Sequence, residues 1–377
     1  MKYSIEIGKI VEGALKHDQT KVINYTKQLI AKLEQDNEER AANKFSKLLS
    51  AQSEATLSAM GMKKDIAIPV DSESRTVLAD VVYPSENNID VILSKENKDN
   101  LETFILSYKN ADRLNSMGIG VSNTLLLYGP PGCGKTQCAY LIARELGLPL
   151  VIARLDSLIS SYLGTTAKNI RALFDFAQKM PCALFLDEFD AIAKARDDSN
   201  ELGELKRVVN SLLQNVDAMS NDSLLIAATN HDKLLDSAVW RRFEYKLRIE
   251  LPDTNAIIEM IDLFTRKGHN LNDKEKIELA TALSGLSGAN VEEILVKAMR
   301  KAIIHERAVE KSDYYDEIFS FKGIIPQNCS CEKTLLSIKA NYLRSCSEKV
   351  FSYQVIANIL NISKTSVSKI VKEVSEV

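Results

Sequence analysis

Two kinds of segment alternate across residues 98–251: short runs that are almost wholly apolar, and stretches in which apolar residues recur among polar ones. Four short runs are apolar along almost their whole length, namely TLLLY, PLVIARL, CALFLD and LLIAAT, and such runs predict strands buried on both faces. Between them, apolar residues recur at helical spacing in TQCAYLIAREL, AKNIRALFDFAQ and ELKRVVNSLLQNV, and a further helix is predicted from Lys98 to Met117. Strands that alternate with helices predict an α/β fold, a parallel sheet with helices on both faces.

The pattern changes on either side of this region. Residues 1–62 have helical spacing, as in KVINYTKQLIAKLEQ, whereas short extended pieces and prolines follow up to residue 97. Beyond the sheet region only helical patterns remain. We therefore predict five segments: a helical N-terminal domain at 1–62, a linker or small extended module at 63–97, the α/β domain at 98–251, a helical domain at 252–312 and a C-terminal domain at 313–377.

Composition narrows the classes of protein that fit this pattern. The 377 residues are 45% hydrophobic and 26% charged, which is typical of a folded globular chain. A net charge of −3 argues against a surface that binds nucleic acid throughout, although it permits a local basic patch. The apolar runs are too short to span a bilayer, and the N-terminus lacks a signal-peptide pattern. Six cysteines in a chain of this size favour reduced thiols and a cytoplasmic location.

The segment GPPGCGKT, which follows the first predicted strand, fits the pattern G-x-x-x-x-G-K-[ST]. Glycines allow successive backbone N–H groups to turn toward phosphate oxygens, and the following helix adds its positive N-terminal dipole. Lys135 supplies a cation to the outer phosphates of ATP, and the Thr136 hydroxyl helps to hold Mg²⁺. The predicted nucleotide contacts here are Gly129, Pro130, Pro131, Gly132, Cys133, Gly134, Lys135 and Thr136.

Acidic, amide and basic residues after later strands supply the remaining chemistry. In CALFLDEFD, Asp187 is predicted to meet Mg²⁺ and Glu188 to act as the base that activates the attacking water. Asn230 ends a strand expected to lie beside that of Asp187, where its amide can hold this water. The adjacent Arg241 and Arg242 are the candidates for positive charge on the γ-phosphate in the transition state.

The order of GPPGCGKT, LFLDEFD, AATN, LDSAVWRRFE and GLSGANVEEI resembles the AAA branch of the AAA+ P-loop ATPases over roughly residues 100–310. The paired arginines look most like the branch that holds katanin, spastin and the ESCRT-disassembling ATPase. The resemblance implies a P-loop NTPase sheet followed by an α-helical lid at 252–312, a homohexameric ring, a sensor role for Asn230 and arginine fingers that reach the neighbouring subunit's ATP. It also places adenine near Gly288 and Ala289 on one side and near Gly118 and Ile119 on the other.

The segment SSYLG contains an aromatic residue in a predicted loop. By the same resemblance, Tyr162 and Leu163 belong to a loop that lines the central pore and grips an extended protein substrate. The chain departs from the family pattern here, because Thr165 and Thr166 stand where an acidic residue is common. Tyr162 folded back as local packing remains an alternative. A second pore loop is expected at residues 196–200.

The two ends of the chain carry separate signals. FSYQVIANILNISKTSVSKIVKEV resembles a helix-turn-helix, with Ala357 at the helix crossing and Asn361 in a turn that needs positive φ. Its second helix, residues 364–373, is expected to expose lysines and hydroxyls. Binding of duplex DNA, binding of a protein partner and simple packing all remain open as its role. The N-terminal helices resemble three-helix MIT adaptors, and a plain helical cap is the alternative.

Together these features predict an ATP-hydrolysing remodeller or unfoldase. In this interpretation a homohexamer threads a protein past Tyr162. The alternative is a DNA-bound ATPase switch, such as an initiator, recombination or defence regulator, that uses the C-terminal helix-turn-helix. A non-hydrolytic adaptor is a third class, and the complete set of catalytic residues argues against it.

Overall fold

The computed structural model describes residues 3–15, 19–57, 68–71, 75–84, 91–158, 163–193, 204–219, 223–235, 237–265, 271–325 and 331–375. The chain divides into two compact units. The first unit contains residues 1–91, 97–129 and 135–248, and the second contains residues 92–96, 130–134 and 249–377. Among the described residues, no helix combines the length and the apolar composition that a membrane crossing requires.

Within the part of the chain that the structure describes, the first unit is built on a six-stranded sheet. Its strands are β1 (Ala79–Val82), β2 (Thr124–Tyr128), β3 (Leu150–Ala153), β4 (Ala183–Leu186), β5 (Leu224–Thr229) and β6 (Tyr245–Arg248). The strand order is β1-β3-β4-β5-β2-β6, with β1 antiparallel to β3 and all other neighbouring pairs parallel. The predicted α/β class with a parallel sheet is confirmed, with one antiparallel strand added at an edge.

The helices of the first unit precede the sheet and connect its strands. They are α1 (Ser4–Leu15), α2 (Gln19–Gln35), α3 (Glu39–Leu57), α4 (Lys95–Lys109), α5 (Ala111–Ser116), α6 (Lys135–Leu146), α7 (Leu155–Leu158), α8 (Leu163–Lys179), α9 (Asp190–Ala193), α10 (Glu204–Asp217) and α11 (Ser237–Arg242). The first two residues of α4 cluster with the second unit.

Helices cover both faces of the sheet. Alternate residues of the central strands, such as Leu126 and Leu184, pack with Phe174 of α8 and Leu212 of α10 in one apolar core. The intervening residues are buried as well, and α6 contributes Cys138, Ala139 and Ile142 to the buried set. Burial on both faces explains why these strands are apolar at every position.

Three elements differ from the predicted pattern. β1 lies in the segment predicted as a linker or small module and extends the sheet by pairing with β3. β6 was not predicted, because only Leu247 of its four residues is buried and two of the others are cations. The helix predicted from Lys98 to Met117 is two helices that meet at Asn110, whose backbone N–H and side-chain amide both donate to the Leu106 carbonyl.

The helices of the second unit pack around one shared apolar core. These helices are α12 (Thr254–Phe264), α13 (Asp273–Leu283), α14 (Gly288–Ile304), α15 (Lys311–Phe321), α16 (Glu332–Cys346, with Cys331 as its N-cap), α17 (Tyr353–Leu360) and α18 (Lys364–Ser375). α15–α18 come from the predicted C-terminal domain, yet the rings of Tyr315 and Phe351 meet edge to face at 6.4 Å within the core that α12–α14 also form. The predicted boundary at residue 312 therefore does not coincide with a gap in packing.

The turn between α17 and α18 depends on one residue. Asn361 adopts φ 52° and ψ 41°, the left-handed conformation that the sequence predicts there. Ile362 donates its N–H to the Ala357 carbonyl across this turn. Ala357 is buried, as expected of a small residue where two helices meet.

The N-terminal helices α1–α3 enclose a small core of their own. Leu29, Leu33 and Ala42 are its buried members. The Lys32 ammonium lies 2.6 Å from the buried carboxylate of Glu6, so this bundle encloses charge beside its few apolar side chains.

Candidate nucleotide-binding and hydrolysis site

The glycine-rich segment between β2 and α6 forms the loop that the sequence predicts to hold phosphates. Gly132 and Gly134 have φ values of 72° and 91°, a region that other residues seldom adopt. Lys135 begins α6 and is only 7% exposed, and its Nζ donates to the Gly129 carbonyl at 2.8 Å. The fold thus keeps a buried cation at the helix N-terminus, which is the chemistry that phosphate oxygens require.

The hydroxyl of Thr136 meets a carboxylate from the neighbouring part of the sheet. Thr136 Oγ1 donates to Asp187 Oδ2 at 2.8 Å, although the two residues are 51 positions apart in the chain. The sequence assigned both to Mg²⁺, and the structure brings them together. Hydroxyl and carboxylate oxygens are ligands that Mg²⁺ accepts, with phosphates supplying others, so this pair fits the ion.

Glu188 occupies a strained backbone position directly after β4. Its φ is +48°, and its side chain is exposed. Its N–H donates to Asp187 Oδ1 at 2.9 Å, and its carbonyl accepts from Ala191 at 2.8 Å. A left-handed conformation costs a non-glycine residue on the order of 1–3 kcal/mol and persists only where the surroundings enforce it. The strain falls on the residue predicted to act as the general base.

Asn230 follows the last residue of β5, and its side chain is half-buried. β5 is parallel to β4, with Leu186 opposite Ala227. The predicted adjacency of the two strands is therefore confirmed. Because parallel strands end at the same edge of a sheet, Asn230 and Glu188 both leave the sheet at the edge where β4 and β5 end.

The two adjacent arginines at the end of α11 have different surroundings. Arg242 Nε lies 2.7 Å from Asp217 Oδ1, an ion pair that lacks the alignment of a hydrogen bond. The Arg242 carbonyl also accepts from the hydroxyl of Thr124 at 3.1 Å. Arg241 is exposed and forms no ion pair with any residue that the structure describes. The sequence treated the pair as equivalent, and the structure separates them.

The residues predicted to contact adenine lie in different units. Gly118 has φ 75° and Ile119 is exposed, both just after α5 in the first unit. In the second unit, Ala289 donates its N–H to the Gly132 carbonyl at 3.0 Å. A Cβ at Gly132 would lie 2.8 Å from Oγ of Ser287, so the phosphate loop packs against the start of α14 too closely for a larger residue.

Most of the predicted pore residues lie outside the part of the chain that the structure describes. Tyr162 and residues 196–200 lie outside the described residues, as does the side chain of Leu163. α8 begins at Leu163, directly after Tyr162 in the chain. Their roles stay predictions.

Sequence reasoning missed two buried polar residues near this edge. Thr229 Oγ1 donates to Asp190 Oδ1 at 2.9 Å, and both side chains are buried. The signal was present in DEFD and AATN, where a polar residue lies beside each residue that the sequence singled out.

The loop, the cation and the Thr136–Asp187 pair define a P-loop nucleotide-binding protein, and comparison with known proteins refines this class. The sequence profile of the "ATPase family associated with various cellular activities (AAA)" matches residues 125–251. The AAA family ATPase y4kL of Sinorhizobium fredii is 41% identical over 289 residues, which cover 76% of this chain and 86% of that protein. The proteasome-activating nucleotidase of Methanococcus maripaludis is 30% identical over 280 residues, or 72% and 69% of the two chains.

A solved structure supports the same fold. The FIGL-1 AAA domain in complex with ADP matches with a TM-score of 0.55 and 23% identity, over 72% of this chain and 94% of that one. Because of its identity to these two sequence relatives, the chain belongs to the AAA family of ATPases. It is therefore an enzyme that binds ATP and hydrolyses it to ADP and phosphate. The narrower resemblance to katanin and spastin stays a prediction.

Proposed function

We propose that this ATPase is a homohexameric remodeller or unfoldase that couples Mg²⁺-dependent ATP hydrolysis to threading of a protein substrate through a central pore. The contact of Thr136 with Asp187, beside the strained Glu188, carries the hydrolytic part of the proposal. The likeness to a proteasome-activating nucleotidase supports work on proteins. A cytoplasmic location belongs to the same proposal, in keeping with the five described cysteines, all of which are free thiols.

Each residue of the edge has a chemical role in this proposal. Lys135 and the loop amides bind the phosphates, and Thr136 and Asp187 hold the metal. Mg²⁺, when bound, neutralises charge on the phosphate oxygens. Glu188 removes the proton from the attacking water, and Asn230 orients that water by hydrogen bonding.

The different surroundings of the two arginines support a division of labour between them. Arg241, which is exposed, is the residue we assign to the neighbouring subunit's γ-phosphate. Arg242 is placed by its pairing with Asp217 in its own chain. Removal of Arg241 is expected to leave nucleotide binding intact and to reduce hydrolysis in the assembled ring.

The hydrolytic roles are tested with two substitutions. Glu188→Gln is expected to retain ATP but to lower turnover by at least about 100-fold, since general-base catalysis contributes about 10²–10⁴-fold. Lys135→Ala is expected to lose nucleotide affinity instead, because a buried cation is removed from the loop. Fluorescent-nucleotide binding and phosphate release distinguish the two variants. Near-normal turnover of Glu188→Gln would show that the base has been assigned to the wrong residue.

The threading role is tested at Tyr162. Tyr162→Ala is expected to retain ATP binding, assembly and basal hydrolysis, and to lose ATP-dependent unfolding of a protein substrate. Tyr162→Phe is the matched control and should unfold the substrate, because the ring rather than the hydroxyl makes the contact. A Tyr162→Ala variant that melts earlier and loses hydrolysis would identify Tyr162 as a packing residue.

A DNA-bound ATPase switch remains the second candidate, and one surface favours it. α18 exposes Lys364, Thr365 and Lys369 beyond the Asn361 turn. Basic and hydroxyl side chains are the groups that contact DNA phosphates. A protein partner for this face is the competing outcome.

A further inference from the structure

The hydroxyl of Thr229 joins the two segments that carry Glu188 and Asn230. It donates to Asp190 Oδ1 at 2.9 Å and accepts from the N–H of His231 at 3.0 Å. Thr229 is 1% exposed and Asp190 is 7% exposed, so the bond between them is shielded from water. Thr229 and Asp190 are 39 positions apart in the chain.

These two bonds restrict the backbone on both sides of Asn230. Asn230 lies between Thr229, whose hydroxyl is the shared partner, and His231, whose N–H points back to that hydroxyl. The turn that directs the Asn230 side chain is thus closed by Thr229. Without the hydroxyl, the His231 N–H would lose this partner.

The same bonds reach the Glu188 segment through Asp190. Phe189, which lies between Glu188 and Asp190, donates its N–H to the Ala228 carbonyl at 2.8 Å. The end of β4 is therefore tied to the end of β5 twice, once by backbone and once by the buried side chains of Asp190 and Thr229. The side-chain tie lies one residue beyond the backbone tie on each segment.

Burying Asp190 has a desolvation cost that an apolar residue at the same position would not have. A buried carboxylate loses hydration that only hydrogen bonds and charges replace. The neighbouring Phe189 shows that this strand end accommodates apolar packing, since it is buried against Phe243 at a ring distance of 5.6 Å.

We propose that Asp190 and Thr229 are positioning residues for ATP hydrolysis, which set the Asn230 amide relative to the Glu188 carboxylate. The inference rests on the proposed roles of Glu188 and Asn230. Neither positioning residue is assigned a contact with nucleotide. Their loss therefore changes the rate of the chemical step and leaves nucleotide affinity unchanged.

The test uses Thr229→Val, which keeps the shape of the side chain and removes the hydroxyl. We expect kcat for ATP hydrolysis to fall about tenfold, equivalent to about 1.4 kcal/mol in the barrier. The Kd for a fluorescent ADP should stay within about twofold, because a positioning effect acts on the reacting geometry. Thr229→Ser, which retains the hydroxyl, should restore most of kcat.

Two further variants keep the test decisive if valine destabilises the edge. Asp190→Ala removes the acceptor, and we expect it to lower kcat by a similar factor. The double variant Asp190→Ala/Thr229→Val should be no slower than either single variant, because one linkage is lost only once. Thr265→Val is the matched control: Thr265 is fully buried and donates to the Ile261 carbonyl in the second unit, so kcat should not change.

Several outcomes would overturn the inference. A Thr229→Val enzyme with wild-type kcat would do so, as would serine failing to restore turnover, ADP affinity falling in parallel with kcat, or losses that multiply in the double variant. Glu188→Gln and Asn230→Ala are measured beside them. If those two retain normal turnover, the proposed function fails, whereas if they are slow and Thr229→Val is fast, only the positioning inference fails.

Discussion

The helices at the two ends of the chain look alike in sequence but pack in different ways. At the N-terminus, α1–α3 have a core of their own, and its buried apolar residues among the side chains that the structure describes are Leu29, Leu33 and Ala42. At the C-terminus, α16–α18 share one extensive apolar core with the helices that follow the sheet. Helical spacing predicts both regions equally well, and it does not reveal which end is integrated with the rest of its unit.

α1 shows how far the N-terminal bundle departs from ordinary amphipathic packing. Its buried residues include Glu6 and Lys9, whereas Val11 is 50% exposed and Leu15 is 78% exposed. Ion pairs such as that of Lys32 with Glu6 therefore lie in positions that apolar contacts occupy elsewhere in the protein. In contrast, Phe351 before α17 is completely buried and packs against the ring of Tyr315. We therefore expect that removing a buried side chain lowers the free energy of unfolding greatly in the C-terminal helices and modestly in the N-terminal helices.

The largest effect is expected at Phe351. Phe351→Ala removes a buried ring and should lower the free energy of unfolding by about 3–5 kcal/mol. Thermal unfolding and guanidinium titration measure this loss. Phe321→Ala, at a partly exposed position on α15, is the matched control and should cost much less. Equal losses in the two variants would show that the tail is not part of the shared core.

A smaller effect is expected at Glu6. Glu6→Gln removes the carboxylate that pairs with Lys32, and since Lys32 can reach water, the cost should be about 1–3 kcal/mol. Urea unfolding followed by circular dichroism measures it, and ATP turnover should not change. Glu34→Gln, at an exposed position of α2, provides the control. A loss of turnover in Glu6→Gln would contradict the separation of the N-terminal core from the hydrolytic edge, the ends of β4 and β5 that carry Asp187, Glu188 and Asn230.

The smallest effect on stability is expected at Lys369. Because its side chain is exposed, Lys369→Ala should change the free energy of unfolding by less than about 0.5 kcal/mol. If α18 binds duplex DNA, the same variant should weaken binding and reduce the salt dependence by about one phosphate contact.

This measurement uses the whole chain, since α16–α18 share their core with the preceding helices. Lys349→Ala, an exposed lysine outside α18, is the control. Absence of duplex binding at low salt would leave a protein partner as the role of this face.

The sequence predicted those parts of the fold in which local pattern and final environment agree. β2, β4 and β5 were predicted because strands buried on both faces are apolar throughout. The Asn361 turn was predicted because few residues accept positive φ. β6 and the pairing of β1 were not predicted, because an edge strand is defined more by its partner in the sheet than by its own residues.

The same distinction applies to the hydrolytic edge. The meeting of Thr136 with Asp187 follows from two motifs whose residue types and spacing along the chain are informative by themselves. The contacts of Thr229 with Asp190 and of Arg242 with Asp217 depend on strand register and helix placement. From the sequence alone, a polar residue beside a motif cannot be distinguished from any other polar residue at the end of a strand. Its role becomes clear only when the structure shows its partner.

The distribution of buried and exposed thiols makes the protein selective toward cysteine-directed labels. Burial raises the pKa of Cys138, in the helix after the phosphate loop, and of Cys182, before β4, to about 12. Cys331 is exposed, and hydrogen bonds from Thr334 lower the pKa of its thiol. Since the thiolate is the reactive form, a maleimide at neutral pH should modify Cys331 long before either buried thiol. A fluorophore can thus be attached to the C-terminal helices without first removing the cysteines around the nucleotide loop.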